Sequence, residues 1–153
     1  MRLHRLRREQ LVAAGLDEVW AFFSDPGNLG ALTPPEMAFR ITSPPESSMT
    51  PGQILSYRIR LLRGVWVDWV TEITHLEVGR LFVDEQRAGP YRFWHHRHRF
   101  EEKDGGVRVI DEVHYALPLG PVGELAHVID VRSRLGRIFD HRAAALAERF
   151  RAP

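Results

Sequence analysis

Two histidines spaced two apart, His96 and His98, stand between Trp94 and Phe100 in the middle of the chain. On a strand, alternation puts Trp94, His96, His98 and Phe100 on one face and Phe93, His95, Arg97 and Arg99 on the other. The aromatic ends of the first set point it inward. By the same rule Phe82, Asp84 and Gln86 share a face of the preceding strand, and Asp111, Val113 and Tyr115 share one of the following strand. Pairing of these neighbours would gather Asp84, Gln86, His96, His98, Asp111 and Tyr115 into one polar group.

Several chemistries suit such a group. A carboxylate that accepts from an imidazole nitrogen fixes its tautomer, and buried polar groups need such partners, so one reading is a satisfied structural network. A second is recognition, in which a few convergent polar groups orient a ligand inside an apolar pocket. A third is acid–base catalysis by His96 or His98 with Asp84 or Asp111, since imidazole titrates near neutrality. No activated nucleophile is evident, so the reaction would be enolisation, cyclisation or dehydration of a carbonyl-rich substrate. Metal binding is the sharper alternative, because a His-x-His strand aims two imidazoles the same way and a carboxylate could be the third ligand. Two histidines without a certain third ligand leave no metal and no cofactor as the expectation.

Other residues take plainer roles. His95, Arg97 and Arg99 read as a solvated sheet face. Trp20, Trp66 and Trp69 read as packing or rim residues, with Trp69 the best cavity candidate of the three. Tyr57 on the neighbouring strand adds a hydroxyl or packs. The Gly89-Pro90 turn is backbone geometry, since no helix start or glycine-rich run follows it to hold a phosphate.

The elements that must position these groups follow from periodicity. Residues 3 to 13 alternate as a first strand. Leu16, Val19, Trp20 and Phe23 fall at helical spacing until Ser24-Asp25-Pro26-Gly27 stops the pattern, and residues 28 to 32 add a turn. Pro34-Pro35 predicts an extended path into a second strand over 37–41, and residues 44–52 are loop chemistry. Leu55, Tyr57, Ile59 and Leu61 form an apolar strand face; Arg63-Gly64 turns the chain into 65–74, where Val67, Trp69, Thr71 and Ile73 share a face. Strands over 81–87, 91–102 and 107–117 complete an antiparallel meander. From residue 122 to 150, Leu125, Val128, Ile129, Leu135, Ile138, Phe139, Leu146 and Phe150 keep helical period, predicting one long amphipathic helix that Gly136 could bend.

The chain has 153 residues, a net charge of +1, 44% hydrophobic residues and no cysteine. Disulfide scaffolds and cysteine zinc sites are excluded, and residues 1–153 read as a single domain with room for one core and a cavity. Lys103 is the only lysine, and 21 basic residues against 20 acidic ones give no net field for nucleic acid or anionic lipid. The basic N-terminus lacks the apolar run of a secretory signal, and no stretch of about 18 apolar residues is present. No integral membrane association and a cytoplasmic location are therefore expected.

The sequence resembles the START-like (SRPBCC) superfamily of polyketide cyclases/dehydrases, lipid-transfer domains and pollen allergens. The resemblance rests on Asp25-Pro-x-Asn28-Leu29, Leu32-Thr-Pro-Pro35, Gly89-Pro90-Tyr91-x-x-Trp94-x-His96-x-His98-x-Phe100, Asp111-x-Val113-x-Tyr115-x-x-Pro118 and Arg142. It spans nearly the whole chain. It implies an α+β helix-grip fold, in which a curved antiparallel β-sheet wraps a long C-terminal α-helix and short helices follow the first strand. It also implies a hydrophobic cavity between sheet and helix, and no defined reaction. The expected function is binding of a small hydrophobic ligand such as a lipid, quinone or polyketide, as carrier or sensor. The candidate binding set is Tyr57, Trp69, Phe82, Asp84, Gln86, Trp94, His96, His98, Asp111 and Tyr115. A cyclase- or dehydratase-like enzyme and a protein-interaction module are the alternatives, and a homodimer is left open.

Overall fold

The computed structural model describes residues 1–44, 48–61 and 64–151. Parts of the predicted 44–52 loop (45–47), Arg63 of the predicted turn and the last two residues lie outside the described residues. The chain opens with β1 (His4–Val12), α1 (Leu16–Phe23) and two 3-10 segments, Pro26–Leu32 and Pro35–Met37. Five long strands follow the two-residue β2 (Arg40–Ile41): β3 (Ile54–Leu61), β4 (Val65–Glu77), β5 (Leu81–Ala88), β6 (Phe93–Lys103) and β7 (Gly106–Ala116). The chain ends in α2 (Pro121–Ala126), a π-helical turn at His127–Val131 and α3 (Arg132–Arg149).

Among the described residues the strands form one antiparallel sheet in the order β1-β7-β6-β5-β4-β3-β2, curved around the terminal helix in a helix-grip fold. Hairpins make each consecutive pair from β2 to β7 adjacent, whereas β1 returns to β7 across the far edge, with His4 opposite Tyr115 and Val12 opposite Val107. The β4–β5 ladder slips between Val70 and Thr71 and again between Ile73 and His75, irregularities of the kind that bend a sheet. Gly106 sits at φ 148°, and a Cβ there would lie 1.9 Å from the Val12 carbonyl oxygen, so only glycine lets β1 approach the start of β7.

α1 forms where Asp17 and Glu18 complement its N-terminal dipole and Val19, Phe22 and Phe23 supply a buried face. The Asp25 carboxylate then accepts from Gly27 N at 2.8 Å and Pro26 takes the first helical position, which opens the 3-10 segment. Under α1 lie Val12, Phe82, Phe100, Val107, Val109, Leu146 and Phe150; a second apolar group, with Ile59, Trp69, Trp94, Val113, Leu135 and Phe139, lies further along the sheet.

Two expectations need correction. The strand predicted over 37–41 is real only at Arg40–Ile41, because Pro35 starts a helical turn that Ala38 ends in the left-handed region, φ 47°. That detour turns Met37 and Phe39 toward the second apolar group. The long helix is present, but Leu125, Val128 and Ile129 are 61%, 76% and 70% exposed and take no part in its buried stripe. The π turn adds a residue to the repeat and rotates the preceding segment, so His127 faces inward in their place. α3 runs through Gly136 as one element.

Candidate functional site

A cavity of about 190 Å³ lies between the concave sheet face and α3. Its wall draws on every layer: Phe22 and Phe23 from α1, Leu29, Leu32 and Met37 from the 3-10 segments, Leu55, Tyr57 and Ile59 from β3, Trp69, Thr71 and Ile73 from β4, and Leu135, Ile138 and Phe139 from α3. Alternation on β3 and β4 faces these side chains inward, as the strand pattern predicts. Aromatic rings dominate one wall, where Tyr57 stacks on Trp69 at 5.8 Å and Trp94 meets Trp69 edge-on at 5.2 Å.

At one end the apolar wall gives way to a buried ionic group. β5 carries Asp84, β6 carries His96 and His98, β7 carries Asp111, and α3 carries Arg142. The β5–β6 register sets Asp84 opposite His96, and the β6–β7 register sets His98 opposite Asp111. His98 Nε2 donates to Asp84 Oδ2 at 2.6 Å, and His96 Nε2 donates to Asp111 Oδ1 at 2.9 Å. His98 Nδ1 lies 3.1 Å from the same Asp111 oxygen and 3.2 Å from Arg142 Nη2, which donates to that oxygen at 3.1 Å. Arg142 Nε completes the fork on Asp111 Oδ2, and Trp94 Nε1 donates to Asp84 Oδ1 at 3.4 Å. The two imidazoles lie 3.7 Å apart between centroids, tilted by 34°.

Proton positions follow from this geometry. Burial pushes the Asp111 carboxyl up, but Arg142 and the two histidine hydrogen bonds outweigh it and hold the group well below the usual range. Asp84 is likewise raised by burial and lowered more by His96 and the His98 hydrogen bond. Burial lowers both imidazoles; His98, hydrogen-bonded to Asp111 and Asp84, ends above its ordinary value, whereas His96, further opposed by the charge of His98, ends below. Two carboxylates thus face one guanidinium and two imidazoles whose shifts run in opposite directions, and His96 Nδ1 lies 3.5 Å from Asp84 Oδ2.

Among the described residues, Trp69 Nε1 is buried with no hydrogen-bond partner, its residue 7% exposed. Burial, and then the Asp84 charge, drives the Tyr57 phenol upward, so it stays protonated, with the Thr71 hydroxyl close enough to temper the rise.

Of the candidate residues, Tyr57, Trp69, Phe82, Asp84, Trp94, His96 and His98 line the cavity. Gln86, Asp111 and Tyr115 do not. The β5–β6 ladder ends at Glu85 and His95, and beyond it Gln86 Nε2 donates to the Tyr91 carbonyl at 2.6 Å and pins the turn that carries Tyr91 to the cavity. Asp111 stands behind the histidines, as shown by its bonds to both and to Arg142. Tyr115 pairs instead with His127 Nε2 at 2.8 Å, where His4 stacks on His127 at 3.7 Å and reaches Glu124 at 3.0 Å. Arg142 was legible as the one charge on the stripe of Leu135, Phe139, Arg142 and Leu146. Met37 and Phe39 were not, because the detour after Pro35 turns them.

No family profile matches the sequence, and no curated protein matches it. Solved structures do. Protein CV1439 from Chromobacterium violaceum superposes with a TM-score of 0.75 at 14% identity, over 98% of this chain and 99% of that one. The Zhui aromatase/cyclase from Streptomyces sp. R1128 gives 0.74 at 14% identity, over 97% and 93%. Ara h 8.0201 gives 0.63 at 13% identity, over 96% and 99%. The fold is thus that of the START-like helix-grip proteins.

Proposed function

We propose that this domain binds one small, mainly apolar organic molecule in its cavity, as a carrier or sensor. The observation that carries the reading is an apolar cavity of about 190 Å³ between sheet and α3, walled by aromatic and aliphatic side chains with the polar group of Asp84, His96 and His98 at one end. A cavity of about 150 Å³ suffices for benzene, so the space suits a ligand of one or two rings bearing an oxygen. A native mass spectrum of the purified protein, compared with its denatured mass, tests the reading. A discrete organic mass lost on denaturation is the expected result; an unliganded protein that also fails to take up 1-naphthol or related bicyclic phenols would overturn it.

A second reading is a cyclase- or dehydratase-like enzyme on the same cavity. It is favoured by His96, which lines the cavity and whose Nε2 is engaged by Asp111, so that Nδ1, 3.5 Å from Asp84 Oδ2, is the nitrogen that would take a proton from carbon beside a carbonyl, with His98 beside it as a donor. The shared fold of the Zhui aromatase/cyclase supports it. His96→Gln separates the readings: retained ligand affinity with lost turnover identifies an enzyme, whereas loss of affinity alone identifies a binding role.

A further inference from the structure

We propose that Asp84, His96 and His98 form a binding site for one divalent transition-metal ion, with a coordination position open to the cavity. The three ligand atoms, Asp84 Oδ2, His96 Nδ1 and His98 Nε2, lie within 4.8 Å of one another. Two imidazoles and one carboxylate on one side of an ion is a donor set used for catalytic zinc and for non-haem iron.

What raises this above a chance cluster is the arrangement behind it. Histidines that hold a metal normally donate their other ring N–H to a carboxylate. Here a single oxygen, Asp111 Oδ1, receives both remaining nitrogens, His96 Nε2 at 2.9 Å and His98 Nδ1 at 3.1 Å. Arg142 holds that carboxylate through a two-pronged contact. Asp111 and Arg142 thereby occupy the nitrogen of each ring that faces away from Asp84, and the nitrogens left over are the two that converge on it. Without an ion, a proton on His98 Nε2 bridges it to Asp84 at 2.6 Å. Tetrahedral donors about 2.0–2.1 Å from zinc lie about 3.3 Å apart. The His96–Asp84 distance of 3.5 Å already suits that spacing, and the His98–Asp84 contact needs to open by a fraction of an ångström.

Charge then selects what occupies the open position. With the ion bound and both imidazoles neutral, two carboxylates oppose Arg142 and a dication, leaving one net positive charge in a buried apolar site. An anionic oxygen, from a phenolate, enolate or carboxylate, neutralises it. This part rests on the cavity being a ligand site; binding of the ion itself does not.

Isothermal titration of Zn2+ into chelator-stripped full-length protein tests the ion site without any organic ligand. One ion per chain is expected, with affinity lowered at least about tenfold in Asp84→Asn and His96→Gln, lowered about 10–100-fold in Asp111→Asn, and unchanged in His75→Ala, an exposed control. Circular dichroism establishes that each variant is folded. Absence of saturable binding to the wild type overturns the proposal whatever the variants do, as does equal binding by wild type, Asp84→Asn and His96→Gln, which marks an adventitious ion only. Acetohydroxamate, a small anionic oxygen donor, is expected to bind the zinc-loaded protein and not the stripped one; equal binding or none overturns the open position.

Discussion

Arg142 of α3 and Asp111 of β7 lock together at two points, Nε to Oδ2 and Nη2 to Oδ1, both at 3.1 Å, a buried charged contact by which the long helix grips the sheet. Both side chains are under a tenth exposed. Arg142 also covers the Phe23 ring at 5.0 Å, so one guanidinium joins α1, the sheet and the terminal helix.

Removing one partner of a buried pair strands the other charge. Arg142→Met is therefore expected to destabilise the fold by about 3–5 kcal/mol, a fall in Tm of about 10 °C or more in a chain this size. Thermal unfolding followed by circular dichroism measures it. A loss under about 1 kcal/mol would mean that water reaches Asp111.

The two faces of β6 should respond unequally. His96→Ala removes a donor to buried Asp111 and is expected to cost about 1–3 kcal/mol, besides weakening any cavity ligand. His95→Ala, on the outer face, is expected to stay within about 0.5 kcal/mol. Urea denaturation of both variants checks the difference, and equal small effects would contradict the placement of His96.

Gly106→Ala places a methyl against the Val12 carbonyl in a backbone region that alanine disfavours. A loss of about 3 kcal/mol is expected, with amide exchange rising first along β1. Wild-type stability in that variant would show that the β1–β7 junction has slack.

His127 gives the segment before α3 a pH dependence. Burial and then the charge of His4 lower its pKa, with Glu124 opposing and Arg132 and Arg2 adding to the shift. A group lowered on folding contributes stability that is complete above its unfolded value of 6.5 and is lost as pH falls through the lower folded value. Amide exchange over residues 121–131, normalised to intrinsic rates, is expected to accelerate below about pH 6 in the wild type. His127→Gln should flatten that dependence; an unchanged profile in the variant would assign it elsewhere.

The sequence carried the sheet because β3 to β7 alternate cleanly and their turns are marked by glycine, proline and Asp-Gly. It carried the inward set Asp84, His96 and His98 because period-two faces survive small errors in strand ends. It could not carry the fate of Gln86, which depends on where the β5–β6 ladder stops, nor of Tyr115, whose partner His127 comes from a helix out of phase with its own repeat. Leu125, Val128 and Ile129 misled for the same reason: a 3.6-residue period holds only while each turn has the same number of residues.

That extra residue has a mechanical consequence. Each residue of a helix turns its neighbours by about 100°, so the π turn works as a phase shifter between α3, keyed into the core, and α2, whose apolar side looks outward. Along this lead-in the inward-facing side chain is His127, held by Tyr115 and His4. The far end of the helix is thus a lever held by polar contacts, the His127 hydrogen bond and ring stack and the Glu124–His4 bond, with no block of packed leucines behind it.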